Sequence, residues 1–328
     1  MNAVIMAFSR GRADQGLNPD TKTMKPRQFI LIYSLMLVTS TAFAGPWEDI
    51  AAANARGDYA TEFRLLKPLA AKGNAKAQYV LGVRYFKGQG VAQDFAEAIR
   101  LFRLAADQQY MQAQYNLGVI YAQGQGIPQD YTEAIKMFRL AAEQGYTPAQ
   151  YNLGVMYEQG HGVPKDNTDA ATWYRRAAAQ GDVNAQANLG AMYESGDGVT
   201  KDFSEAARLF KLAIAKGNPK AQSGLGLMVA QGEGVPQDYT EAVRLFRLAA
   251  EQGYLRAQFN LGVSYAKGQG VPRDYVRAHM WFTLGASAGD PDAVNNRDIV
   301  TELLTADERT HAQKMTGECQ QRKFKGCD

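Results

Sequence analysis

Apolar and small residues return along this chain at two spacings, one nested inside the other. The shorter is helical: Gln114, Leu117, Gly118 and Tyr121 stand at i, i+3, i+4 and i+7, and after a break Ala134, Phe138, Ala141 and Ala142 stand at i, i+4, i+7 and i+8. The longer is 36 residues, and it separates Gln78, Gln114, Gln150, Gln186, Gln222 and Gln258 as well as Gly82, Gly118, Gly154, Gly190, Gly226 and Gly262. Six such units fill residues 75–290 without an insertion. Residues 130–146 and 238–254 are nearly identical at a separation of 108, three periods, which suggests duplication of blocks. Each unit therefore predicts two helices, and the fold class is all-α: an α/α superhelix, or solenoid, of 36-residue helix-turn-helix repeats.

The punctuation within a unit agrees. Gly124-Gln125-Gly126 ends the first helix, since glycine adopts the left-handed conformation that closes a C-terminus. Ile127-Pro128 keeps the chain extended, and Asp130 is placed to cap the second helix, with Glu133 completing a D-x-x-E capping box. Asp94 with Glu97, Asp202 with Glu205 and Asp238 with Glu241 repeat the pair, Asp166 has Asp169 in that role, and Asp274 departs from it with Arg277. Helices of about three turns are too short to persist alone in water. Their stability must come from stacking on neighbours, with Gly118, Ala141 and Ala142 letting axes approach and Phe138 and Tyr121 filling the space. Each such aromatic contributes on the order of 2–3 kcal/mol when fully buried.

The ends extend the pattern. Residues 45–74 read as a shortened capping helix pair, with Asp58 in phase with Asp94, and residues 291–328 as C-terminal capping helices, Thr305 and Glu308 forming a T-x-x-E box, followed by a disulfide loop. Ahead of them, Lys25 and Arg27 flank an uncharged run from Phe29 to Val38, and Ala42-Phe43-Ala44 is an A-x-A signal. Residues 24–44 thus read as a signal peptide cleaved near Ala44/Gly45, because the run is about half of what spanning a bilayer requires. Residues 1–23 read as a mis-called start or a disordered extension upstream of Met24. The mature protein is expected to be periplasmic or secreted, with no membrane span, and an oxidising compartment would close Cys319 and Cys327, eight residues apart, into a disulfide.

Composition narrows the function further. Of 328 residues 46% are hydrophobic, enough for a sizeable core, and 36 Lys and Arg against 33 Asp and Glu are interspersed, so no nucleic-acid footprint is present. Arg322, Lys323 and Lys325 inside the cysteine loop read as a solvated charge run, with an acidic partner as the alternative. His161, His279 and His311 have no second His or Cys at metal-ligand spacing, so no metal site is expected. The Gly88-Gln89-Gly90 type of turn follows a helix and recurs six times, which marks helix ends and not a phosphate cradle. Gly285-Ala286-Ser287-Ala288-Gly289 matches the letters of a G-x-S-x-G elbow, but that motif needs a preceding strand, and Ser287 falls in the last turn of a second helix. No residue is assigned to catalysis, a cofactor or a metal.

The pattern carried by Ala149-Gln150, Leu153-Gly154, Tyr157, Gly160, Gly162, Val163, Asp166 and Ala170 resembles the Sel-1-like repeat, a relative of the tetratricopeptide repeat, over about residues 47–315. The resemblance implies a superhelical scaffold for protein complexes, often periplasmic or secreted in bacteria. In the related tetratricopeptide repeats the first helix of each pair lines the concave groove. Carried over by position, the groove would receive Tyr79, Val83 and Phe86, then Tyr115, Val119 and Ala122, then Tyr151, Val155 and Glu158, then Ala187, Ala191 and Glu194, then Ser223 and Leu227, and lastly Phe259, Val263 and Ala266. An aromatic row beside Asn116, Asn152, Asn188 and Asn260 would suit a protein or peptide partner or an envelope glycan, while the alternative is that these tyrosines pack between helices. Cysteine-rich members of the family, associated with penicillin binding and slow hydrolysis, suggest a weak β-lactamase activity as the alternative function. Their cysteine pair in each repeat is missing here.

Overall fold

A computed structural model describes residues 45–327, so the segments read as a leader and an upstream extension lie outside the described residues. The first helices are α1 (Pro46–Ala55) and α2 (Tyr59–Ala71). The six repeats follow as α3 (Ala75–Lys87) with α4 (Phe95–Asp107), α5 (Met111–Gln123) with α6 (Tyr131–Glu143), and α7 (Thr147–Gln159) with α8 (Asn167–Ala179). After these come α9 (Val183–Ser195) with α10 (Phe203–Ile214), α11 (Pro219–Gln231) with α12 (Tyr239–Ala250), and α13 (Leu255–Lys267) with α14 (Tyr275–Gly285). The chain closes with α15 (Pro291–Leu303) and α16 (Ala306–Gln321), and among the described residues there is no strand. From Asp49 onward the described residues form one continuous unit in which each helix packs chiefly on its neighbours in sequence.

One packing device is repeated in every repeat. The glycine of each first helix faces an aromatic ring of its second: Gly82 and Phe102, Gly118 and Phe138, Gly154 and Tyr174, Gly190 and Phe210, Gly226 and Phe246, Gly262 and Phe282. The rings are buried, and a side chain at the glycine would meet them at 2.6 to 2.8 Å, so the two helix axes come closer than any larger residue allows. The recurrent glutamine joins repeats instead of lining a surface. Gln114 Nε2 donates to the Ala106 carbonyl at 3.3 Å while its Oε1 accepts from Gln144 at 2.7 Å, and Gln150 does the same with Ala142 and Gln180. Gln258 keeps the first bond, but thirty residues on the chain has Ala288 where the others have a donor, and its buried Oε1 has no partner.

The turns use glycine twice. Gly124 ends α5 at φ 67°, as the sequence suggested, but Gly126 has a second task. It sits at φ 76° against the start of the preceding repeat's second helix, where a side chain would stand 2.5 Å from Phe95 Cβ. The Gly-x-Gly turn therefore both stops a helix and docks on the previous repeat.

The capping boxes differ from expectation. Asp130 does cap α6, its Oδ1 accepting from the amides of Thr132 and Glu133, but the expected return bond from Glu133 is not made. The Asp130 amide is already engaged, donating to the Tyr121 carbonyl at 2.9 Å, so Glu133 turns outward and pairs with Lys136. Glu97, Glu205 and Glu241 likewise pair with Arg100, Arg208 and Arg244. Arg277 is thus no loss: its guanidinium reaches back to Asp274 Oδ2 at 2.5 Å. The reciprocal box is complete at Thr305 and Glu308, at the start of α16.

The two ends are held differently. Near the N-terminal end Glu62, with no exposure, takes the Arg84 guanidinium in two bonds of 2.7 and 3.0 Å, and the Tyr59 ring lies 4.4 Å beneath the cation. Removing one partner of such a buried pair costs about 3–5 kcal/mol. At the other end α15 takes the place of a seventh first helix, while α16 packs on α14. Cys319 and Cys327 lie with Cα atoms 5.2 Å apart, within bridging range. The Phe324 ring between them in sequence rests on Gly253.

Candidate functional site

The first helices of the repeats form the inner wall of the solenoid. Their side chains interact across one and even two repeats: the Asn152 amide donates to the Tyr115 hydroxyl at 3.4 Å, and Glu194 lies in the field of both Lys220 and Arg256. α9 and α11 pack on each other directly.

Along the first three repeats the wall carries a row of tyrosines and asparagines. Tyr79, Tyr115 and Tyr151 each meet the asparagine 37 residues on, at Asn116, Asn152 and Asn188. Their rings are not free plates. Tyr79 leans on Phe102 and Tyr110 at centroid distances of 5.9 and 5.2 Å, Tyr115 on Phe138 and Tyr146 at 5.8 and 5.3 Å, and Tyr151 on Tyr174 at 5.8 Å. Half-buried in this way, the Tyr79 phenol is pushed up to about 12, first by burial and then by the neighbouring phenols of Tyr146 and Tyr110.

Other residues assigned to the groove from sequence are placed unevenly. Val83 is buried, and Phe86 turns from the wall to stack edge-on against Phe95 at 5.1 Å. Val119 and Val155 are half-buried beside the tyrosine row. Phe259 packs against Phe282 at 5.6 Å and is cut off from the other aromatics by Ala187 and Ser223, both buried. Ser223 also explains a vacancy in the hydrogen bonding: where Asn116, Asn152 and Asn188 meet a tyrosine of the preceding repeat, Asn260 meets Ser223's position, and its buried Nδ2 has no partner.

In the second half of the wall the aromatic row gives way to charge. Glu158 accepts from the Tyr174 hydroxyl at 2.5 Å, and Lys220 Nζ donates to Asn188 Oδ1 at 2.6 Å, so Asn188 joins the tyrosine row to the charged stretch. Glu194, Lys220, Tyr254 and Arg256 line a narrow cleft floored by Ser223 and Gly224. Burial holds the Lys220 ammonium below its ordinary range even though Glu158 and Glu194 oppose the shift. Burial likewise raises the Glu194 carboxyl, with Arg256 opposing. In both groups the attraction of the neighbours falls short of what burial removes.

Lys220, Arg256, Tyr174 and Tyr254 were not singled out from sequence. Glu158 and Lys220 are 62 residues apart, as are Glu194 and Arg256, and only the superhelix brings the end of one first helix to the start of another two repeats on. The available signal was two cations in consecutive repeats, at a position that holds Gln112, Pro148 and Asn184 in the three repeats before them and a further cation, Lys76, in the first. Ser287 lies exposed in the 3₁₀ turn Ala286–Ala288 after α14, with no strand before it. Among the described residues no group of His, Cys, Asp and Glu could hold a metal ion, and no helix is long and apolar enough to cross a membrane.

Comparison with known proteins agrees with this architecture. The Sel1 repeat family matches residues 75–110, 112–146, 147–182, 183–218, 219–254 and 255–290. A solved protein of uropathogenic Escherichia coli, c5321, described as a protective antigen with an SLR fold, is 34% identical over 86% of this chain, with a TM-score of 0.76. This chain spans 62% of that protein. A Sel1 repeat protein from Oxalobacter formigenes is 32% identical, with a TM-score of 0.64, over 72% of this chain and 94% of its own. No curated protein matches. Six consecutive matches in phase with the helix pairs, and a common architecture at this identity, give the conclusion that the chain belongs to the Sel1 repeat family.

Proposed function

We propose that this protein is an exported scaffold that binds an extended segment of a partner protein along the inner wall of its solenoid. The observation that carries the reading is the passage of the tyrosine–asparagine row into the half-buried charges of Glu158, Glu194 and Lys220, with the exposed Arg256 beside them. A continuous wall of this kind offers apolar contact and hydrogen bonds in one half and charge selection in the other, which is what an extended peptide with mixed side chains requires. Export is supported by the leader-like residues 24–44 and by the cysteine pair at the C-terminal end. The E. coli relative is described as a protective antigen, a property of an accessible protein, and that fits the same reading.

The test is an array of short peptides probed with the purified protein. Retained peptides are expected to carry acidic and basic residues close together, and a Lys220→Ala, Arg256→Ala double variant should bind them at least about tenfold more weakly. Equal binding by the variant would remove the inner wall as the site.

A further inference from the structure

Two departures from the repeat meet at one place between the third and fourth repeats. In repeats one, two, four and five the second helix carries Arg100, Lys136, Arg208 and Arg244, each paired with the glutamate three residues before it. Repeat three has Thr172 there, with Ala171 beside it where Ile99, Ile135 and Val243 stand in others. The turn that covers this position belongs to repeat four, and at the place of Pro128, Pro164, Pro236 and Pro272 it has Thr200. Loss of the long side chain opens a concavity of about 490 Å³ between α8 and the turn before α10. Its size falls in the ordinary range of small-molecule sites, about 300–1,000 Å³.

The lining is polar and specific. Thr168, Thr172 and Thr200 bring three hydroxyls, Arg175 and Lys201 bring two cations, and Asp202 brings one carboxylate. Thr172 Oγ1 donates to the Thr168 carbonyl at 3.0 Å, which leaves its lone pairs to accept. Arg175 is steadied by the Tyr193 hydroxyl at 3.2 Å, a bond that uses one of its five N–H groups. Lys201 lies 4.4 Å over the Phe203 ring, and its ammonium also acts on the Glu194 carboxyl. Asp202 spends one oxygen on the amides of Ser204 and Glu205, and its negative charge disfavours a dianion. Under the same turn the buried Oδ1 of Asn167, which stands where other repeats have an aromatic, has no partner.

We infer that this concavity is a binding site for a sugar residue bearing a single carboxylate, with Arg175 and Lys201 taking the carboxylate and the threonines and Asp202 taking the ring hydroxyls. The site lies between α8 and the turn before α10, and the inference does not depend on the peptide reading.

Glucuronate is titrated into the full chain beside glucose, acetate and inorganic phosphate, followed by amide chemical shifts and calorimetry. Saturable shifts at Thr168, Thr172 and Thr200 are expected with glucuronate, and glucose, acetate and phosphate should each bind at least about tenfold more weakly. Thr172→Arg restores, beside Asp169, the residue that three other repeats carry, so it should fold normally and lose glucuronate at least about tenfold. Thr200→Pro, which restores the turn, provides a second variant with the same expectation, and Lys220→Ala should leave binding unchanged. No saturable shift with glucuronate, equal binding by Thr172→Arg and Thr200→Pro, or tighter binding of phosphate would overturn the assignment.

Discussion

Gly118 lies flat against the Phe138 ring: a methyl group on its α-carbon would stand 2.6 Å from Phe138 Cδ1. Phe138 is 2% exposed and is wedged between the two helices of its own repeat, so the ring has nowhere to retreat.

Gly118→Ala should therefore destabilise the protein although alanine is the better helix former. Overpacking costs about 1–3 kcal/mol, against about 1 kcal/mol gained from helix propensity. Gly317 in α16 has nothing within 4 Å of the same position, and Gly317→Ala should stabilise by about 0.5–1 kcal/mol. Urea midpoints of the two variants moving in opposite directions would bear this out, and the same direction would refute it.

The tyrosine row predicts an alkaline limit to stability. The Tyr79 phenol is pushed up to about 12 in the folded chain, whereas an exposed tyrosine titrates near about 10. A raised folded value means that the folded state holds its proton longer, so this contribution is complete below about pH 10 and is lost as pH rises through about 12. Tyr79→Phe cannot ionise and should lose less of its urea midpoint between about pH 8 and about pH 11 than the parent does. An unchanged slope would place the phenol in water.

The cysteine pair predicts a redox state. Protein recovered from an oxidising compartment should weigh two hydrogens less before reduction than after it, with no free thiol at Cys319 or Cys327. Closing a loop this short should stabilise the C-terminal end by roughly 2–3 kcal/mol, so Cys319→Ala should lower the melting temperature. Free thiols in such protein would count against both the bond and the export reading.

The repeat made most of the architecture legible. Glycine and aromatic positions 36 residues apart, together with the Asp130 type of cap, specify short helix pairs that must stack, because each contact recurs in sequence. The capping boxes were misread because a local rule assigns the Asp130 amide to Glu133, while the folded turn had already given it to the Tyr121 carbonyl. The tyrosine row was visible as a pattern, and packing between helices was one of the two readings it allowed; the partners Tyr110 and Tyr146 were not visible, since they lie in turns outside the helical spacing.

Everything that repeats could be read from the chain alone: the all-α class, the pairing of helices, and the register of glycine against ring. Such features are local, and six copies report each of them. Where the copies differ to effect depends on the packing of one repeat on another. The superhelix carries Lys220 to Glu158 and Arg256 to Glu194 across two repeats, and it folds the turn holding Thr200 over Thr172 of the repeat before it. Those distances depend on the small rotation accumulated from one helix pair to the next, which belongs to the packing of neighbours and to no single stretch of chain.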